Sequence, residues 1–218
     1  MLPTLAVIDI DIFSGQDEMA REGLLQNLAQ SDDRCITPLW VNLLRERADL
    51  RVVCLVHDLA RLDNFLVDVI RKVPGVRGTA ARLAFDGVVR GDAVMDVSLL
   101  SAVWDRRAAA TVLVKSAPGQ DVEVFQSLLE LPVHQQVQTV WVVKLFHSPE
   151  ADLMLLLLGE RTSALTGYVM SWVRTVPGVV DTELTSVLDW QILGATEDFI
   201  ALGERFPEHQ PGEGRSVT

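Results

Sequence analysis

The feature that most constrains this chain is a tetrapeptide that occurs twice. Val73-Pro74-Gly75-Val76 returns as Val176-Pro177-Gly178-Val179, 103 residues later. At that one spacing, without gaps, Ala48-Asp49-Leu50 falls on Ala151-Asp152-Leu153. Leu62 falls on Leu165, Arg71 on Arg174, Thr79 on Thr182 and Asp86 on Asp189. Identities held in one register over such a length mark a duplicated module, so the fold has to be read as two copies of one unit.

Within each copy the hydrophobic period sets the elements. Leu5 to Phe13 is an apolar strand broken by Ser14-Gly15-Gln16-Asp17, with Ser14 or Asp17 as cap for a helix through Met19, Leu24, Leu25 and Leu28. The second copy repeats this with strand 111–114, the break Pro118-Gly119-Gln120-Asp121, and a helical stripe at Val124, Phe125, Leu128, Leu129 and Leu131. The two Gly-Gln-Asp breaks lie 104 apart, one off the main register; a single insertion or deletion in the first helix accounts for it. Strand pairs 35–44 with 50–56 and 137–146 with 153–158 read as hairpins. Residues 59–72 and 162–175 place apolar side chains at three-four spacing and stop at Pro-Gly, which makes them amphipathic helices. A last strand closes each copy, at 79–89 and 182–193.

The order βαββαβ, twice, predicts an α+β protein of two tandem ferredoxin-like modules. One such module leaves a sheet face bare. The second supplies an equivalent face, so the expected architecture is an intrachain pseudo-dimeric α/β barrel. The predicted organisation is module one at 1–92, a packed linker at 93–107, module two at 108–206 with a closing helix near 195–206, and a disordered tail at 207–218.

Composition narrows function by exclusion. Thirty acidic residues against 19 basic give a formal charge of −11, which repels nucleic acid. No apolar run approaches the roughly 20 residues of a membrane helix, and the N-terminus lacks a signal peptide's basic region. Cys35 and Cys54 have no metal or redox spacing and read as reduced thiols in a cytoplasmic protein.

The hairpin aspartate before an apolar run, then helix, Pro-Gly-Val and a strand opening near a threonine, resembles the effector-binding domain of the Lrp/AsnC regulators. The second copy, ADLMLLLLGERTSALTGYVMSWVRTVPGVVDTELTSVLDW, is the closer match. The resemblance implies a fused pair of sensor domains without the family's helix-turn-helix, taking a small effector such as an amino acid, with a protein partner or a second copy of the chain. It places Asp49, Thr79, Asp152 and Thr182 at the family's ligand positions. Their other reading is turn closure and strand-end hydrogen bonding.

No catalytic, metal or cofactor set emerges from spacing. His57, His134 and His147 are unpaired across the repeat, though His57 and His147 lie at strand ends of a hairpin, where a base could act. Asp9 and Asp11 alternate on an otherwise apolar strand, which reads as a solvated face or a pocket wall. Two functions stay open: a small-molecule effector-binding protein that is not an enzyme, and a dimeric α/β-barrel enzyme, either a cofactor-independent oxygenase or haem-dependent.

Overall fold

The computed structural model describes residues 3–31, 33–45, 49–90, 107–132, 134–146 and 148–207. Module one runs β1 (Thr4–Ile12), α1 (Asp17–Gln30), β2 (Ile36–Arg45) and β3 (Leu50–Val56). It continues with helix α2 (59–70) and β4 (Val76–Val89). Module two repeats it: β5 (Ala108–Ser116), α3 (Asp121–Leu129), β6 (Val137–Phe146), β7 (Leu153–Gly159), helix α4 (162–173) and β8 (Val179–Ile192). A last helix, α5 (Thr196–Arg205), follows. The linker and tail expected from the sequence, and His147, lie mostly or wholly outside the described residues.

The eight strands close into one barrel in the order β1-β3-β2-β8-β5-β7-β6-β4, every neighbour antiparallel. Strict alternation makes β1 and β5 run the same way, so a pseudo-two-fold relates the modules about the barrel axis. Both hairpins, β2–β3 and β6–β7, therefore stand at one end. The opposite end is covered by α5: Val89 N–H donates to Phe206 O at 2.8 Å, and Arg205 Nε donates to Pro3 O at 2.9 Å. The modules meet edge to edge at β2–β8 and β4–β6, because each ferredoxin-like sheet has two unpaired edges and closure leaves none.

Period-two alternation sorts the strands into two surfaces. Ala6, Ile8, Ile10, Val52 and Cys54 face α1 and α2; Val112, Val114, Leu155 and Leu157 face α3 and α4. The other face builds a third core inside the barrel, from Leu5, Val7, Val53, Leu55, Met154 and Leu156 to Trp40, Trp141 and Phe199. Trp40 stacks on Trp141 at 5.2 Å and on Phe199 at 5.8 Å between ring centroids, filling the α5 end of the barrel. Each such ring contributes about 1.5–3 kcal/mol by burial.

The glycine of each Pro-Gly repeat is required. Gly75 and Gly178 sit at φ 92° and 89°, and an added Cβ would lie 2.8 Å and 2.5 Å from the Oε1 of Gln16 and Gln120. Both long helices widen into a π turn just before, at Leu66–Ile70 and Val169–Val173, where Arg71 N bonds Leu66 O and Arg174 N bonds Val169 O, five residues back.

Three sequence expectations need correction. Neither Ser14 nor Asp17 caps α1: Gln16 stands at the N-cap without a side-chain bond, and Asp17 opens the first turn, where its charge meets the helix dipole. One indel does not align the copies. Helix α1 has 14 residues against nine in α3, and the hairpin between Arg45 and Leu50 is two residues shorter than that between Phe146 and Leu153. That second offset hid the equivalence of Trp40 and Trp141, which pair with Val53 and Leu156 at matching ladder positions. Finally, Asp9 is not on a solvated face: it is buried inside the barrel, while Asp11, nearer the strand end, is half exposed.

Candidate functional site

Asp49 and Asp152 occupy the same place in the two modules and do the same work. The Asp49 carboxylate accepts from Ile12 N at 2.6 Å, and its own N–H donates to Ile10 O. Asp152 accepts from Ser116 N and Ser116 Oγ, each at 2.8 Å, and from Lys115 Nζ at 3.0 Å. Burial raises the Asp152 carboxyl, but these bonds and the Lys115 charge outweigh it and hold it below the usual range. Each aspartate thus clips a hairpin to the end of the first strand of its module. Thr79 accepts from Arg71 Nε at 2.9 Å, and Thr182 N–H bonds Asp181 Oδ1 at 2.8 Å. The four positions are not brought into one pocket; Asp152 lines a cleft of about 160 Å3 with Lys115, Lys144 and Phe85.

The structure gathers a different set inside the barrel. Asp9 on β1 stands opposite Arg51 on β3, and Arg51 stands opposite Asn42 on β2. Residues directly opposite on antiparallel strands share a face, so all three project inward. Arg51 Nε donates to Asp9 Oδ1 at 2.5 Å, and Arg82 Nη1 of β4 donates to Asp9 Oδ2. Arg51 Nη1 reaches across to Thr111 Oγ1 on β5. Toward the hairpin end, Arg82 Nη2 bonds Glu150 Oε2 at 2.7 Å, and the Glu150 side chain is 48% exposed.

The electrostatics follow from burial. Desolvation alone would raise the Asp9 carboxyl; the guanidinium groups of Arg51 and Arg82 outweigh it and hold it ionised, below the ordinary carboxylate range. Burial would likewise discharge Arg82, but Asp9 and Glu150 raise its pKa instead. The three buried charges, one Asp and two Arg, leave one positive charge in the barrel beside a half-exposed carboxylate.

Two members of this set are not satisfied. Arg51 is 1% exposed and its Nη2 has no hydrogen-bond partner; Asn42 is 1% exposed and neither its Oδ1 nor its Nδ2 has one. Trp141 Nε1, in the apolar half of the interior, is in the same condition. Leaving one such group unmade costs about 1–3 kcal/mol. An uncommitted buried guanidinium N–H beside a primary amide is a donor pair suited to an oxyanion. Sequence reasoning passed over Arg51, Asn42 and Arg82. The usable signal was a single charged or amide side chain inside an otherwise apolar strand, as in Leu50-Arg51-Val52 and Val41-Asn42-Leu43.

The histidines do not join this site. His57 is exposed past the end of β3, and His134 packs edge-on against Tyr168, its Nδ1 accepting from Gln136 N. His134 lines a cavity of about 440 Å3 outside the barrel with Arg90, Arg107, Gln136 and Glu160. No helix among the described residues is long and apolar enough to cross a membrane. No group of three or more His, Cys, Asp or Glu among them could hold a metal ion. The Cys54 thiol, buried against the helices, is pushed up to about 12 by desolvation.

No protein-family model matches the chain, nor does any curated protein sequence. Solved structures do match in fold, over nearly the whole length. An anthrone oxidase-like protein superposes with a TM-score of 0.60 at 9% identity, covering 89% of this chain and 94% of its own. A provisionally assigned monooxygenase from Lactobacillus acidophilus NCFM gives 0.55 at 7% identity, over 89% and 98%. A chlorite dismutase variant from Candidatus Nitrospira defluvii, in complex with cyanide, gives 0.53 at 12% identity, over 92% and 94%. A transcriptional regulator from Neisseria meningitidis in complex with L-Met matches only 38% of this chain, at a TM-score of 0.31 that carries no argument. The fold is the dimeric α/β barrel contained in one chain. The full-length likeness runs to the barrel proteins.

A haem needs an axial donor and an apolar slot. Among the described residues no histidine faces the barrel interior, and the Trp40–Trp141–Phe199 stack fills its α5 end. The cavity beside His134 is rimmed by charged and amide side chains. The described residues do not fit that group.

Proposed function

We propose that the chain is a dimeric α/β-barrel enzyme of the cofactor-independent oxygenase kind, acting on a small aromatic enol or phenol seated within the barrel. The observation that carries this reading is the buried, uncommitted Nη2 of Arg51 beside the uncommitted amide of Asn42. The substrate gives its proton to solvent and is held as the enolate or phenolate. Dioxygen is the oxidant, one of its atoms becoming a new carbonyl oxygen on the substrate and the other leaving as water. The protein's task is to stabilise the negative oxygen in a dry site. Arg51 and Asn42 donate to the oxyanion. Asp9, held ionised between two guanidinium groups, takes no proton; it fixes the Arg51 plane. Thr111 fixes the same plane from the other module. The fold likeness to proteins described as a monooxygenase and as anthrone oxidase-like supports the reaction class.

Anthrone offered to the purified protein in an oxygen electrode tests the reading. Oxygen uptake that depends on anthrone and is lost in Asn42→Leu is the expected result. A rise in melting temperature with anthrone or 2-naphthoate but no uptake favours an effector-binding protein instead, since any ligand of the native state stabilises it. No uptake and no shift removes the barrel interior as a site.

A further inference from the structure

The duplicated barrel carries two equivalent strips of inward-facing residues, and they have opposite chemistry. In module one, ladder pairing runs Asp9–Arg51–Asn42 and on to Trp190 of β8. The matching path in module two runs Leu113–Met154–Val143 and on to Gly87 of β4. Every polar member of the first strip is replaced in the second by a buried apolar residue, and the tryptophan by glycine. At Gly87 there is no room for a side chain: a Cβ would lie 2.7 Å from Val142 O and 2.8 Å from Val143.

We infer that the barrel takes one ligand per chain in one orientation, its anionic head at Asn42 and Arg51 and its apolar body toward the Leu113–Met154–Val143 strip. This rests on the oxyanion site proposed above and adds to it a stoichiometry, a direction and a ligand class. A symmetric pair of identical modules would present two equivalent head-group sites or two equivalent apolar walls. Here duplication is retained in the backbone and broken at the strip, so the two sides of the interior suit the two ends of an amphiphilic anion. Asp9 and Glu150 balance the charges of Arg51 and Arg82, so what serves one anionic head is the pair of uncommitted donors, Arg51 Nη2 and the Asn42 amide. A second head would face Met154 and Leu113, which offer no donor.

Titration calorimetry of the full chain with 2-naphthoate and with naphthalene tests the inference. One 2-naphthoate per chain is expected. Asn42→Leu should weaken 2-naphthoate by roughly tenfold, the loss of one charge-assisted hydrogen bond, and leave naphthalene unchanged. Met154→Gln should weaken both. Two equivalent 2-naphthoates per chain overturn the single orientation while leaving the site itself in place, and this reading needs no variant to fold. Equal weakening of both probes by Asn42→Leu, or no weakening of either, overturns the assignment of the head group. Absence of any binding by the unsubstituted protein overturns the oxyanion site and the orientation together.

Discussion

Arg51 of the first module donates through Nη1 to Thr111 Oγ1 of the second, so one guanidinium joins the two halves across the barrel interior, as the Trp40–Trp141 stack does nearer α5. Its Nε is committed to Asp9 and its Nη2 to nothing. This divided commitment couples stability to the candidate chemistry, and it sets the following expectations.

Arg51→Met should cost about 3–5 kcal/mol, because removing one partner of a buried ion pair leaves the Asp9 charge uncompensated on that side. Asp9→Leu combined with Arg51→Met should recover part of this. Urea denaturation of the single and double variants measures it. A single variant as stable as the parent would show that the pair contributes little.

Asn42→Leu removes two buried polar atoms that have no partner. It should leave stability unchanged or raise it by about 1 kcal/mol, while weakening 2-naphthoate roughly tenfold. A marked fall in the urea midpoint would mean that the amide is a structural bond donor.

Acid should weaken the fold through carboxylates whose folded pKa lies below the unfolded value, Asp9 and Asp152. Their contribution is complete above the ordinary carboxylate range and is lost as the pH falls through the depressed folded values. The urea midpoint should therefore hold from about pH 5 to 8 and fall below about pH 4. Asp9→Asn should flatten the acid limb and lower the plateau. An unchanged midpoint down to pH 3 would contradict the buried pairing.

Gly178→Ala places a Cβ on a residue at φ 89° and against Gln120 Oε1, and should cost about 1–3 kcal/mol. Gly167→Ala, in helix α4 with nothing within 4 Å of the added atom, should be neutral or stabilising by up to about 1 kcal/mol. Melting temperatures of the two variants should move in opposite directions or differ clearly in size.

Phe199→Ala should cost about 3–5 kcal/mol, since the ring is buried flat against Trp40 at the closed end of the barrel. Near-ultraviolet circular dichroism should lose intensity as the Trp40–Trp141 stack loosens. An unaltered spectrum would place α5 outside the barrel's structural unit.

The architecture was legible in the sequence because duplication and period-two alternation are local properties. The Pro-Gly repeats marked both helix ends, and the strands 50–56 and 137–146 came out at their observed bounds. Thr111 was read only as a strand residue, and its bond to Arg51 depends on barrel closure, which brings β5 across from β3. Asp9 was visible as an anomaly, but whether it met water or arginine depended on which face of β1 closed over the second module. The sequence alone established two copies of one βαββαβ unit, since hydrophobic period and turn chemistry act over a few residues. Only the tertiary structure decided which copy kept the polar strip facing inward, because that follows from strand register between segments scores of residues apart.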